Sequence, residues 1–186
     1  MVRERVSRSL PVAVGLLLLL GRVAASARPA RVPAPPSGAL AALAPEGFTP
    51  SGPPLLFGTA EHPLKDGDIF TYIDGGGVVY LEHGFADLFH AEYGDGRGNT
   101  ITLDVYGMAT PEQARQAMAD ERICPPGAGP LDLDPSGKSY RFPPDYFFYF
   151  VHGRRLVYLH VSDDRLSARL AQFGVTVKSV LEKEGP

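Results

Sequence analysis

Two strand-like segments joined by a glycine-rich turn restrict the fold of this chain more than any other feature. Residues 85–93 and 100–108 have strand composition, and residues 94–99 between them contain three glycines, as hairpin loops often do. In the second segment the apolar side chains occupy alternate positions, at Ile101, Leu103 and Val105. This alternation predicts a strand with one buried and one solvated face, paired antiparallel with its neighbour.

Further strands and two helices are predicted after this hairpin. Three strands are expected, at about 139–142, 146–151 and 156–161, the last two forming a second hairpin. Thr110 and Pro111 have the residue types that begin helices, and this helix is expected to end near residue 122. A closing helix is expected after the cap at 162–164, with a break at Gly174.

The segment before the first hairpin combines β-prone residues with glycines. Residues 69–73 are apolar and β-prone, which favours a strand. Asp74 as an N-cap and Gly84 as the residue after the C-cap predict a short helix over about 75–83. The β-branched valines in this stretch leave a strand broken by glycines as the alternative.

Together these elements predict an α+β fold. We expect a single domain over residues 55–186, with an antiparallel sheet of about four to five strands and helices packed on one face. Residues 124–137 are rich in proline, glycine and aspartate, and they predict a long loop within this domain.

The N-terminal residues have the pattern of a cleavable secretory signal over 1–27. Residues 10–20 are apolar, and Ala25-Ser26-Ala27 suits a signal peptidase. The apolar stretch is shorter than the roughly 20 residues that cross a bilayer, and an uncleaved N-terminal anchor is the alternative. Residues 28–54 contain eight prolines and predict a disordered tether. The protein is therefore expected in the periplasm or outside the cell.

Charge, motifs and cysteine content argue against several functional classes. Removal of residues 1–27 would take away four arginines and one glutamate, so the net charge would change from −3 to −6. Such a chain is poorly suited to bind nucleic acid, and no later stretch could cross a membrane. No cofactor, metal or nucleophile motif is present, so none is predicted. The one cysteine, Cys124, is predicted to be an incidental thiol, with an intermolecular disulfide or a reactive thiol as the alternative.

A glycine-centred motif follows the β-prone stretch. It reads Tyr72-Ile73-Asp74-Gly75-Gly76, then Tyr80-Leu81 and Gly84-Phe85. We interpret its glycines as a structural turn rather than a phosphate cradle, because no following residues complete a nucleotide motif.

This motif resembles the signature Y-I-[ND]-G-G-A-E-x-Y-L-x-x-G-F of a family of exported bacterial proteins of unknown function. A second block, over residues 104–114, is similar to that family's strand-to-helix junction. The chain departs from the pattern at Gly77 and Val78, where the family usually has Ala and Glu. The resemblance implies an exported single-domain protein and no particular activity. Its structural signature here comprises Tyr72, Asp74, Gly75, Gly76, Tyr80 and Gly84.

One face of the predicted sheet gathers polar side chains. If the predicted strands are neighbours, alternation places on one surface His90, Glu92, Thr102, Asp104, Tyr106, Tyr158 and His160. Imidazoles and carboxylates on one surface can bind a metal ion or carry out acid–base chemistry. The plainer interpretation is a solvated sheet face. The predicted ligand-binding set is His90, Glu92, Asp104, Tyr106, Tyr158 and His160.

The aromatic run 146–150 is apolar on both faces and predicts a central strand. Helices would cover one side, and the tether, a partner subunit or an apolar ligand would cover the other. The favoured hypothesis is therefore a non-enzymatic binding or accessory domain of the cell envelope, whose partner is an envelope protein or a small apolar ligand.

Two other functional hypotheses remain open. The first is an enzyme that uses a metal or acid–base chemistry, which requires four side chains to converge within about 3 Å of one point: His90, Glu92, Asp104 and His160. The second is envelope scaffolding through residues 28–54.

Overall fold

An antiparallel sheet forms the centre of the fold in the computed structural model, which describes residues 38–131 and 134–184. The predicted signal peptide and residues 28–37 of the predicted tether lie outside the described residues. In chain order the strands are β1 (Thr49–Pro50), β2 (Leu55–Phe57), β3 (Phe85–Gly94), β4 (Thr100–Met108), β5 (Gly129–Leu131), β6 (Asp134–Phe142), β7 (Asp145–His152) and β8 (Arg155–Val161). Both predicted hairpins, β3–β4 and β7–β8, are confirmed, and β4 pairs with β8.

Short edge strands make the sheet wider than we predicted. The strand order is β1-β3-β4-β8-β7-β6-β5, and β2 also pairs with β3. The prediction of about four to five strands is therefore wrong. Strands β1, β2 and β5 have two or three residues each, too few for an alternating pattern to be recognised. Strand β5 and the start of β6 also lie in the proline- and glycine-rich segment 124–137, for which a loop was expected.

Helices cover both faces of the sheet, so the expectation of helices on one face is also wrong. In chain order they are α1 (Gly38–Ala41), α2 (Ile69–Ile73), α3 (Gly77–Glu82), α4 (Pro111–Ala119) and α5 (Ser167–Glu184), with 3₁₀ turns at Asp74–Gly76 and Asp164–Leu166. Helix α5 packs through Leu170 and Phe173 on one face. Helices α2 and α4 cover the other, where Leu88, Met108 and Leu156 need burial from solvent. None of the described helices is long and apolar enough to span a membrane.

Helix α5 passes through Gly174 without the break that we predicted. A Cβ atom at this position would lie 2.9 Å from Cδ1 of Phe148 and 3.2 Å from Cδ1 of Leu159. The missing side chain therefore lets the helix approach the sheet closely, which is a packing role for the glycine rather than a turn.

Folded structure begins before residue 55. Leu40 in α1 is fully buried, Phe48 is buried beside it in the core under α5, and β1 pairs with β3. Leu40, Phe48 and β1 are therefore part of the folded domain rather than of an extended tether. The many prolines of this segment predicted a disordered chain, so its few buried apolar residues were not recognised from the sequence.

The segment 69–73 is helix α2 rather than a strand. The Asp68 carboxylate accepts hydrogen bonds from the backbone N–H of Phe70 (2.9 Å) and Thr71 (3.3 Å), an N-cap that overrides the β-prone composition. Asp74 does not cap α3, because it is the C-cap of α2, with φ 46°. Gly84 has φ 71° and follows the C-cap of α3, as predicted.

Candidate functional site

Three neighbouring strands place His90, Asp104 and Tyr158 side by side. His90 on β3 is in register with Asp104 on β4, which is in register with Tyr158 on β8. The next set of in-register residues on the same three strands contains Glu92, Thr102 and His160. Side chains at these positions point to the face covered by α2, α3 and α4, so the polar face expected from strand alternation is shared by neighbouring strands.

The Asp104 carboxylate lies at the centre of this face and is buried, with 2% of the residue exposed. Nδ1 of His90 lies 2.7 Å from Oδ1, and because an ionised carboxylate only accepts, Nδ1 carries the proton in this contact. The Tyr72 hydroxyl donates to Oδ2 at 3.1 Å and approaches Oδ1 at 3.3 Å. The Tyr106 hydroxyl donates to Oδ2 at 3.1 Å. Three side chains thus fix the orientation of this carboxylate.

A pocket of about 400 Å³ opens above this carboxylate. Its described lining consists of four tyrosines, two isoleucines and one carboxylate: Tyr72, Tyr80, Tyr106, Tyr158, Ile73, Ile123 and Asp104. The sheet provides three of these residues, and α2, α3 and the segment after α4 provide the others. A volume of this size lies within the range of about 300–1,000 Å³ that is typical of small-ligand sites.

Stacked rings hold the pocket walls in place. Tyr80 lies parallel to Tyr106 with centroids 4.2 Å apart, and Tyr72 stacks on Phe57 at 5.4 Å. The Tyr72 ring also meets the His90 imidazole at 4.5 Å. These contacts restrict the orientations of the Tyr72, Tyr80 and Tyr106 rings.

The four pocket tyrosines are held in their neutral form. Burial raises the pKa of Tyr80 to about 12. Burial, and then the nearby Asp104 charge, raise the pKa values of Tyr72 and Tyr106 further. The pKa of Tyr158 is also raised, by burial first and by its neighbours Tyr149 and Asp104 after that. The carboxylate is therefore the charged group of the pocket lining, and the hydroxyls remain hydrogen-bond donors.

The predicted ligand-binding residues divide into three groups. Asp104, Tyr106 and Tyr158 line the pocket, whereas His90 lies behind Asp104 and outside the lining. The Glu92 side chain is 58% exposed, and its Oε1 lies 3.8 Å from Nε2 of His90. His160 contacts Oδ1 of Asp145 at 2.6 Å and stacks on Phe147, so it belongs to a separate pair.

Sequence reasoning missed Tyr72 and Tyr80, which it assigned to a structural signature. Both residues line the pocket from α2 and α3, while Gly75 and Gly76 form the exposed 3₁₀ turn between these helices. In the described part of the chain, Asp74 at this turn is the one non-glycine residue with a positive φ. The eight-residue spacing of the two tyrosines was the available signal, but it points to one site only once two short helices are recognised.

The four side chains proposed for metal or acid–base catalysis do not meet at one point. His90 and Asp104 are in contact, whereas His160 pairs with Asp145. Among the described residues, no group of three or more His, Cys, Asp or Glu side chains is placed to hold a metal ion.

A second buried carboxylate, which the sequence did not single out, is Asp87 on β3. It forms ion pairs with Arg154, at 3.3 Å, and with Arg155. Arg154 also donates to the backbone carbonyl of Met108 at 2.9 Å. This cluster contributes no residue to the lining of the tyrosine pocket.

The aromatic strand β7 is covered on both sides by residues of this chain. Phe148 and Phe150 lie in the core under α5, and Tyr149 lies in the opposite core with Cys124. Burial raises the pKa of the Cys124 thiol, which is 2% exposed, so the thiolate is disfavoured.

Comparison with known proteins gives little help. No family model matches the chain, and no curated protein matches it. The extracellular domain of PknH from Mycobacterium tuberculosis is similar, with 12% identity and a TM-score of 0.46 over 73% of this chain and 85% of that one. A TM-score at this level does not establish a common fold, so the proposals below depend on the residues of this chain.

Proposed function

We propose that this protein is a non-enzymatic binding domain that takes a small ligand in the tyrosine-lined pocket. The observation that supports this most directly is the buried Asp104 carboxylate, oriented by Tyr72, Tyr106 and His90 and lining a pocket of about 400 Å³. A concave, largely aromatic site with a few fixed polar groups is the usual form of a small-molecule site.

The pocket walls suit binding better than catalysis. The four tyrosines are protonated at neutral pH, as tyrosines ordinarily are, and burial raises their pKa values further, so they provide donors and apolar ring surface rather than a base. The imidazole of His90 lies behind the carboxylate and outside the pocket lining, where a ligand in the pocket would not meet it.

We further propose that the domain works outside the cytoplasm, as an accessory of the cell envelope. The signal-like residues 1–27 and the resemblance of the Tyr72–Phe85 motif to exported bacterial proteins support this setting. The ligand would then come from the periplasm or the medium.

A fragment screen followed by two-dimensional NMR of the purified protein tests the binding proposal. We expect a subset of fragments to shift resonances of Tyr72, Tyr80 and Tyr158, and these shifts to be lost in Tyr80→Ala. The matched control is Phe142→Ala, because Phe142 is 64% exposed and outside the pocket lining. If hits shift only residues elsewhere, or none are found, the proposed site is wrong.

A further inference from the structure

The charge of the pocket lining indicates which ligands it favours. Asp104 contributes a carboxylate, and the described lining includes no lysine, arginine or histidine. Four tyrosine rings add electron-rich faces, which attract cations. An anionic ligand would meet a buried negative charge with no lysine or arginine in the lining to offset it, so the lining opposes anions and favours positive charge.

The hydrogen-bond partners that Asp104 already has limit which kind of cation can bind beside it. A carboxylate offers about four acceptor positions. Here Oδ1 accepts from His90, and Oδ2 accepts from Tyr72 and Tyr106, at 2.7–3.1 Å, which leaves about one acceptor position free. A divalent metal ion needs several free oxygen ligands, and a primary ammonium needs acceptors for its N–H groups. Both would have to displace bonds that are already made.

An alkylated ammonium group has no such requirement. Its charge is covered by methyl or methylene groups, so it gains from a nearby carboxylate and from aromatic rings without a direct hydrogen bond. The tyrosines of this pocket provide both apolar contact surface and negative ring faces, and stacking fixes the Tyr80 and Tyr106 rings at a 4.2 Å centroid separation.

We infer that the tyrosine-lined pocket binds the alkylated ammonium group of a small organic cation, with Asp104 supplying the counter-charge without a direct hydrogen bond. This inference rests on the proposed function of the pocket as a ligand site and adds the chemical class of the ligand.

Choline and 3,3-dimethylbutan-1-ol make a matched pair of probes, because they share a shape and differ in having a charged nitrogen or a neutral carbon. Isothermal titration calorimetry of the purified protein with each probe measures the preference for charge directly. We expect choline to bind about tenfold more tightly. The Tyr158→Leu variant should lose most of this binding, and Phe142→Leu, which removes an exposed ring outside the pocket lining, should keep it.

The Asp104→Asn variant tests the counter-charge and should bring the two affinities within about threefold of each other. The ratio of the two affinities in the unsubstituted protein requires no variant. It therefore tests the preference for charge even if Asp104→Asn fails to fold.

Each other outcome overturns the inference in a distinct way. Equal or tighter binding of the neutral alcohol, lost in Tyr158→Leu, contradicts the cation preference while leaving the pocket as a ligand site. Choline binding that Tyr158→Leu does not change places the cation outside this pocket. If neither probe binds, the ligand class is wrong, and the proposed function fails with it only if the fragment screen also finds no ligand in the pocket.

Discussion

Among the residues of this sheet whose burial is described, two carboxylates are buried, and their surroundings differ in the charge of their partners. Asp87 is in register with Gly107 and then with Arg155, and it forms ion pairs with Arg155 and Arg154. Asp104 is in register with His90 and Tyr158, and its partners are hydroxyl groups and an imidazole.

The two carboxylates differ in whether their negative charge is neutralised within the fold or is available to a ligand. Guanidinium groups are always charged, so the negative charge of Asp87 is neutralised within the fold. Tyrosine hydroxyls orient the Asp104 carboxylate without cancelling its charge, and that carboxylate lines a pocket. We therefore assign Asp87 to stability and Asp104 to recognition, and substitutions in the two rows should separate the two roles.

The largest expected effect is on stability, from Asp87→Asn. It removes the carboxylate that forms ion pairs with two buried guanidinium groups, which should lower the free energy of unfolding by about 3–5 kcal/mol. Urea denaturation followed by circular dichroism measures this loss. Asp104→Asn is the matched control and should cost about 1–2 kcal/mol, since the hydroxyls can turn to other acceptors and a neutral imidazole can adopt its other tautomer to accept from the new amide. Equal losses in the two variants would contradict the division of roles.

A smaller loss is expected from Gly107→Ala. An added Cβ would collide with the Arg155 guanidinium and the Asp87 carboxylate, so the substitution should destabilise the fold by about 1–3 kcal/mol. Gly94→Ala serves as the control, because its Cβ would meet only Ser51 Oγ, at 3.6 Å. Thermal unfolding of both variants provides the measurement. Similar melting temperatures would show that the in-register residues Asp87, Gly107 and Arg155 tolerate extra volume.

Strand alternation predicted which side chains share the polar face, on the condition that the strands are neighbours. His90, Asp104 and Tyr158 share that face because side chains in strands repeat every two residues, and the hairpin turns set the register of β3 with β4 and of β7 with β8. The local pattern does not indicate which strands of the two hairpins are neighbours, and the pairing of β4 with β8 determines this. Alternation could not predict the strands at the sheet edges, because they are too short to show a two-residue period.

The pocket itself could not be predicted from the sequence. Tyr72 reaches Asp104 only because residues 69–73 form a helix, and the Asp68 cap that starts this helix was not recognised. Ile123 belongs to a segment without regular structure, whose position depends on tertiary packing. A site closed by short helices over a sheet is a product of long-range contacts, which local patterns do not contain.

The hydroxyl of Tyr72 offers a finer test of the Asp104 row. Tyr72→Phe keeps the ring and removes one donor to the carboxylate, so it should cost about 1 kcal/mol of stability. Tyr146→Phe is the control, because Tyr146 packs in the core on the other face and lies outside the pocket lining. Chemical denaturation of both variants checks the prediction. A Tyr72→Phe protein as stable as the unsubstituted one would indicate that this contact does not orient the carboxylate.

Around neutral pH, the smallest effect on stability is expected from a change of pH, because the tyrosines do not titrate there. The pocket tyrosines have pKa values raised by burial, to about 12 for Tyr80, against an ordinary value near 10. Their neutral forms therefore stabilise the fold fully below pH 10, and this contribution is lost as pH rises through the raised native values. Absorbance at 295 nm should show that these tyrosines ionise above pH 10. Ionisation of all tyrosines near pH 10 in the folded protein would contradict their burial.

Contact between a bound cation and the pocket rings tests the central claim most directly. In an NMR experiment with choline and the unsubstituted protein, we expect intermolecular nuclear Overhauser effects from the trimethylammonium protons to ring protons of Tyr72, Tyr80, Tyr106 and Tyr158. Such contacts would place the positive charge beside Asp104. Contacts confined to other surfaces, or a neutral ligand held by the same rings in preference to choline, would contradict the recognition role of this carboxylate.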